Sequence, residues 1–195
     1  MLVSLYQNRQ GLLTKRKGRS SPISTLKSSV YTFHMMFQFS TEKSVRNWYA
    51  LDDVVMGGVS ASAMSYAGDG LARFHGRVSL ENGGGFASVR YDKTSFDLST
   101  FTGTELRVRG DGRTYQLRLS NPGSRAAYTQ HFLTNPDWTT VRLPFSGFSP
   151  TFRGRSAQGA PPLNPADVTA VTLMLSDKQA GDFELWVDWL RGYGE

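Results

Sequence analysis

Residues 72–80 read ARFHGRVSL, and their alternation decides the fold. Ala72, Phe74, Gly76, Val78 and Leu80 take every second position, with Arg73, His75, Arg77 and Ser79 between them. Successive side chains of an extended chain point to opposite faces, so a period of two predicts a half-buried strand with one apolar and one charged face. The same period returns at Leu106 and Val108, at Tyr115, Leu117 and Leu119, and at Phe183, Leu185, Val187 and Trp189. In the last run Trp186 falls out of phase, which predicts a half-covered aromatic on the outer side of that strand; beside arginines such a ring is a contact site. Trp138, Phe145, Phe148 and Trp189 are expected chiefly as core fillers. Turn-forming clusters separate the runs: Gly68-Asp69-Gly70, Gly110-Asp111-Gly112, Asn121-Pro122-Gly123 and Asn135-Pro136-Asp137. Asp111-Gly112 is the pair a two-residue hairpin prefers, so a hairpin is expected there. Many short strands punctuated in this way predict an all-β antiparallel sandwich.

Helix is confined to short turns. Residues 41–48 offer a hydroxyl cap, an early Glu42 and the apolar Val45 and Trp48, and Asn164-Pro165 can start one further turn. Residues 153–165, rich in Gly, Ala, Pro and Ser, read as a surface loop.

A chain of 195 residues, 39% apolar and 12% aromatic, has the length and composition of one globular domain. Its formal charge of +6 is unevenly spread. Residues 1–34 carry six basic residues and no acid, so the 22 basic residues of the whole leave 16 in residues 35–195, against 16 acids. The expected organisation is a basic, serine-rich tail over residues 1–34 and a single sandwich domain over residues 35–195. The tail's composition fits both a disordered or over-extended start and an organellar targeting segment. A neutral body lacks the phosphate-tracking charge that dominates nucleic-acid binding, so no nucleic-acid partner is expected. No run approaches the roughly 20 apolar residues of a membrane span. The body is therefore expected in the cytoplasm, at most peripheral to a membrane, or in an organelle if the tail is a transit peptide.

With no cysteine, disulfides, thiolate metal sites and cysteine nucleophiles are excluded. His34, His75 and His131 lack any ligand-like spacing, and no metal or cofactor is expected. Gly83, Gly84 and Gly85 are followed by neither Lys-Ser nor Lys-Thr and read as a bent connection. Asp52 and Asp53 with Glu81 or Asp111 could pair as acid and base across a sugar, but adjacent aspartates on a strand point to opposite faces. No nucleophile elbow is present, and the chain is expected not to be an enzyme.

Several segments together resemble the complex I intermediate-associated proteins, the thirty-kilodalton assembly-factor family. The first is WYALDDVVMGGVS at residues 48–60, with Trp48, the pair Asp52 and Asp53, and the VMGGVS segment at residues 55–60. Phe74 and Gly76 precede a Leu-Glu-Asn-Gly-Gly-Phe-Ala-Ser-x-Arg run at residues 80–90, with one extra glycine here. An Arg-Gly-Asp-Gly-Arg-x-Tyr turn lies at residues 109–115, and Trp138, Pro144, Phe145, Phe148, Arg153 and Gly154 follow in order. A late Asp-Lys-Gln-x-Gly-x-Phe-x-Leu run occupies residues 177–185.

The resemblance implies a jelly-roll sandwich similar to galactose-binding domains. It also implies a non-catalytic role in assembling the membrane-bound NADH-quinone oxidoreductase, although some related chains serve photosynthetic complexes. Subunits or assembly intermediates of such a complex are the partners expected. Contact is expected from a sheet face or loop rim bearing Trp48, Asp52, Asp53, Arg90, Arg109 and Asp111. The alternative is a carbohydrate-binding module with a sugar ligand, since such sandwiches stack sugars on aromatic rings. An accessory domain of a reductase is a third reading.

Overall fold

The protein's structure, a computed structural model, describes residues 32–194. Thirteen strands follow one another: β1 (Thr32–Gln38), β2 (Tyr49–Ala50), β3 (Ala61–Tyr66), β4 (Ala72–Val78), β5 (Ala87–Tyr91), β6 (Gly103–Gly110), β7 (Thr114–Ser120), β8 (Ala127–Leu133), β9 (Thr139–Pro144), β10 (Ser149–Phe152), β11 (Arg155–Ser156), β12 (Ala170–Leu175) and β13 (Gly181–Gly194). They form a six-stranded sheet in the order β3-β4-β13-β6-β9, with β1 also on β13, and a seven-stranded sheet in the order β11-β10-β8-β7-β12-β5-β2. Every pairing between these strands is antiparallel. β1 opens at Thr32, three residues inside the segment expected as tail, and the rest of that segment lies outside the described residues.

The alternating residues meet between the sheets. Phe74, Leu106, Val108, Leu185 and Val187 from one sheet and Tyr115, Leu117, Leu119, Leu173 and Leu175 from the other are almost fully buried in one cluster. Phe74 and Tyr115 make an edge contact across the layers at 6.2 Å. Leu80 departs from this pattern: β4 ends at Val78, and Leu80 is exposed. Helix appears as single 3-10 turns, among them Glu42–Val45 and Pro165–Asp167, at the two expected places. The Asn164 side chain caps the second by accepting from the Ala166 N–H at 3.1 Å.

Two local expectations fail for tertiary reasons. Asp111-Gly112 is not a hairpin turn, because β6 belongs to the six-stranded sheet and β7 to the seven-stranded one, so the chain there crosses between layers. Gly112 still supplies the positive φ of +84° that the bend needs. Asp111 fastens the corner: its carboxylate accepts from Arg113 N–H at 3.2 Å, Tyr115 O–H at 3.0 Å and Glu184 N–H at 3.1 Å. Trp189 is the second correction. A register shift between Val187 and Trp189 puts an extra residue in β13, which inverts the alternation. Leu190 therefore enters the core, 2% exposed, and Trp189 joins Trp186 on the outer face.

On that outer face Glu105 is buried beneath two arginines. Its carboxylate accepts from Arg142 Nε at 3.0 Å and Arg191 Nε at 2.7 Å. Truncating a buried carboxylate strands its partners at about 3–5 kcal/mol. Because the Arg142 side chain is 48% exposed and rehydrates, Glu105→Ala is expected to lose nearer about 2–3 kcal/mol, read as a lower urea midpoint at unchanged slope.

Candidate functional site

The segment DDVVMGG is too short between its carboxylates and its glycines to run as a strand. Asp53, Val54, Val55 and Met56 instead form one 3-10 turn, closed by Gly57 at φ +90°. Both aspartates turn inward. Asp52 accepts from Ser62 Oγ (2.7 Å) and Ser62 N–H (2.8 Å) on β3 and from Ser88 N–H (2.8 Å) on β5, bridging the two sheets. Asp53, fully buried, accepts from Ser60 N–H (2.9 Å), Ser60 Oγ (2.6 Å), Gly85 N–H (2.7 Å) and Phe86 N–H (3.2 Å). Burial pushes its carboxyl up, but the donors from Ser60, Gly85 and Phe86 outweigh this and hold it below the ordinary carboxylate range. Gly58 is glycine because a Cβ there would sit 2.4 Å from Asp53 Cγ.

With the carboxylates inside, the apolar side chains between them and the glycines face out. Val54 is 61% exposed, Val55 70% and Met56 61%. Leu51 and Val59 flank them, and Leu80 adjoins Ser79, whose N–H bonds Ser60 Oγ at 2.9 Å. Five of the six, Leu51, Val54, Val55, Met56 and Val59, lie on the one loop that the carboxylates clamp and make it an exposed apolar ridge, where isolated ones would need no explanation.

The residues expected to share one contact surface fall in different places. Trp48 is in the core, its ring 4.9 Å from Phe37 and 5.8 Å from Tyr91. Asp52 and Asp53 are together but face inward. Arg90 is half-buried on the outer face of the seven-stranded sheet, its Nε 3.5 Å from Asp92. Asp111 holds the corner between the sheets. Arg109 lies on the outer face of the six-stranded sheet, its guanidinium 4.6 Å from the Trp186 ring and 5.4 Å from that of Trp138.

That face alternates cations and rings. Arg73 also stacks on Trp186 at 5.7 Å, Arg107 on Trp138 at 5.7 Å, and Arg191 on Trp189 at 4.1 Å. Arg73 and Arg107 have carboxylate partners in Glu184 and Asp188, at 3.7 Å and 3.3 Å. The half-covered Trp186 beside arginines was legible in the sequence, whereas Trp138 was expected in the core. The Val54, Val55 and Met56 ridge was missed altogether. Its signal was an apolar run bracketed by Asp-Asp and Gly-Gly, a pattern that suits a turn rather than a strand.

Among the described residues no group of three or more His, Asp or Glu is placed to hold a metal ion. No helix among them is long and apolar enough to cross a membrane.

Comparison with known proteins adds two findings. The sequence profile of a family described as "Complex I intermediate-associated protein 30 (CIA30)" matches residues 37–187. A Caenorhabditis elegans protein named "Probable complex I intermediate-associated protein 30, mitochondrial" is 28% identical over 182 residues, covering 82% of this chain and 54% of its own. The mouse protein named "Complex I intermediate-associated protein 30, mitochondrial" is 27% identical over 183 residues, covering 80% and 55%. The chain thus spans about half the length of these curated relatives. Among solved structures, a family 11 carbohydrate-binding module of a Clostridium thermocellum cellulase superposes with a TM-score of 0.64 at 15% identity, over 86% of this chain and 97% of that one. At that identity the likeness shows the jelly-roll sandwich and nothing of the ligand.

Proposed function

Given that the chain belongs to the complex I intermediate-associated protein 30 family, we propose that it is a non-catalytic assembly factor whose exposed Val54, Val55 and Met56 ridge docks on a subunit or assembly intermediate of a membrane-bound NADH-quinone oxidoreductase. The ridge carries this reading. Exposed apolar surface is costly in water and gains about 25 cal/mol per Å² when a partner covers it. Two buried carboxylates fix its shape in advance, so little ordering entropy is lost on docking. The Arg109, Trp138 and Trp186 stack supplies a second contact of the composition that dominates protein interfaces, aromatic rings with arginine. Asp52 and Asp53 then act through the loop they hold rather than by touching the client.

The mitochondrial names of the relatives favour the organellar alternative, with the basic segment, outside the described residues, as the targeting element. The carbohydrate alternative draws on likeness of fold alone.

Crosslinking affinity purification of the tagged full chain from native membranes tests the assembly role, with captured proteins identified by mass spectrometry. Enrichment of NADH dehydrogenase subunits is the expected result. Arg109→Ala is expected to lower their recovery about tenfold, while losing only the roughly 2 kcal/mol of fold stability that a half-buried cation–π contact provides. Capture of no membrane-complex subunit by a folded, tagged protein would remove the assembly reading.

A further inference from the structure

The outer face of the seven-stranded sheet, turned away from the core, carries a cation that no acid among the described residues balances. Across this face one row of paired residues reads Tyr49, Arg90, Thr172, Arg118, Thr129 and Ser149, from β2 through β5, β12, β7 and β8 to β10. Arg118 stands near the middle. Its Nη1 meets the Met174 sulfur at 3.0 Å, and its Nη2 donates to Thr151 Oγ1 at 3.3 Å. Its Nε–H is buried and has no hydrogen-bond partner among the described residues. A guanidinium has five donors, so a thioether and a hydroxyl, both weak acceptors for a full charge, leave most of its capacity unused.

The surroundings sharpen the imbalance. No carboxylate pairs with Arg118 among the described residues. Asp92, two residues beyond Arg90, is committed to the Tyr49 hydroxyl at 2.6 Å, to Lys93 at 3.2 Å and to Arg90 itself. Thr129, Thr172 and Ser88 on the same face are buried, so the guanidinium lies over a floor of small polar side chains. Burial, and then the Arg90 charge, lower the Arg118 pKa from its ordinary value. Arg113, also poorly exposed, is by contrast locked to Asp177 at 2.6 Å. A desolvated charge without a counter-charge destabilises a fold by several kcal/mol, and an incoming anion with matching geometry recovers that loss.

We propose that Arg118, with Arg90 beside it, forms an oxyanion-binding site on the outer face of the seven-stranded sheet, for a carboxylate or phosphate group. The site is separate from the apolar ridge and does not depend on the assembly role. Arg118 supplies the charge-assisted hydrogen bonds, Thr129, Thr151 and Thr172 the neutral polar surround, and Arg90 a second positive charge. A neutral sugar would leave the guanidinium uncompensated and is not the ligand class this charge selects.

The test uses the isotopically labelled full chain and follows the Arg118 Nε–H signal and the Thr129 and Thr172 amide signals by NMR. Succinate, inorganic phosphate and neutral succinamide are titrated separately at constant ionic strength, which removes general screening. A saturable shift with succinate, phosphate or both, and none with succinamide, is expected; the tighter of the two anions identifies the source. Arg118→Met, which keeps the apolar stem and removes the charge, is expected to weaken the Thr172 response at least tenfold while melting no lower than wild type. Arg118→Lys, a point charge without the fork, is expected to bind with intermediate strength. No saturable shift with either anion, or an unchanged titration in Arg118→Met, overturns the site. A folded Arg118→Lys protein that titrates like wild type would overturn the role of the guanidinium fork, since the lysine keeps the charge alone.

Discussion

Replacing Val54, Val55 and Met56 together by serine should cut recovery of NADH dehydrogenase subunits by two to three orders of magnitude without destabilising the protein. The three side chains are more than half exposed, so their loss opens no cavity, and surface changes of this kind usually shift stability by about 0.5 kcal/mol or less. In the docked state they would be buried. Full burial of a Val or Met side chain contributes about 1.5–3 kcal/mol. About two-thirds of that burial remains to be gained here, so even at the lower end the three supply about 3 kcal/mol, and every 1.4 kcal/mol is tenfold in affinity. The measurement pairs quantitative affinity purification with thermal melting of the same variant. Undiminished recovery from a normally melting triple variant would show that the client is held elsewhere, with the Arg109 face the next surface to remove.

Asp53→Ala is the substitution expected to damage the fold most. It leaves the N–H groups of Ser60, Gly85 and Phe86 and the hydroxyl of Ser60 without the acceptor they share. A buried donor left unmet costs about 1–3 kcal/mol, and local rearrangement lets water reach some of the four. A net loss of about 4 kcal/mol is expected, a large share of the total stability of a domain this size. Asp53→Asn keeps one acceptor but points an amide N–H₂ at other donors, for an expected loss of about 3 kcal/mol.

The same carboxylate makes stability depend on pH in a definite direction. Its native pKa lies below the unfolded value, so its contribution is fully present above the ordinary carboxylate range near pH 4 and is lost as the pH falls through the native pKa. Asp177 acts in the same sense: burial raises its carboxyl, but the Arg113 guanidinium and nearby backbone donors bring it below the usual range. Wild-type unfolding midpoints should therefore fall steeply below about pH 4, and Asp53→Asn should flatten that limb. An Asp53→Asn protein as stable as wild type at neutral pH would refute the clamp.

Much of the architecture was written in local pattern. The strand at residues 72–78 and the apolar faces of β6, β7 and β13 follow from which side chains alternate, and alternation is fixed by the covalent geometry of an extended chain. The short turns at residues 42–45 and 165–167 were legible for a similar reason, because caps and proline act within a residue or two. The motif at residues 48–60 drew attention to Asp52 and Asp53 but did not carry the direction in which they face. Asp52 and Asp53 were read as groups offered to a partner, whereas their partners are serine, glycine and phenylalanine donors up to 36 residues away in sequence.

Position therefore came from the chain itself and orientation from the fold. The amino-acid order alone determined an all-β sandwich, a neutral body and membership of the complex I intermediate-associated protein 30 family. Only the tertiary structure decided that the Asp111-Gly112 turn crosses between sheets, that one extra residue in β13 carries Trp189 to the outside, and that Arg118 has no counter-charge among the described residues. Each of those depends on which distant strand lies alongside. A strand's neighbour across a sheet is selected by the packing of the whole core, which no run of adjacent residues encodes.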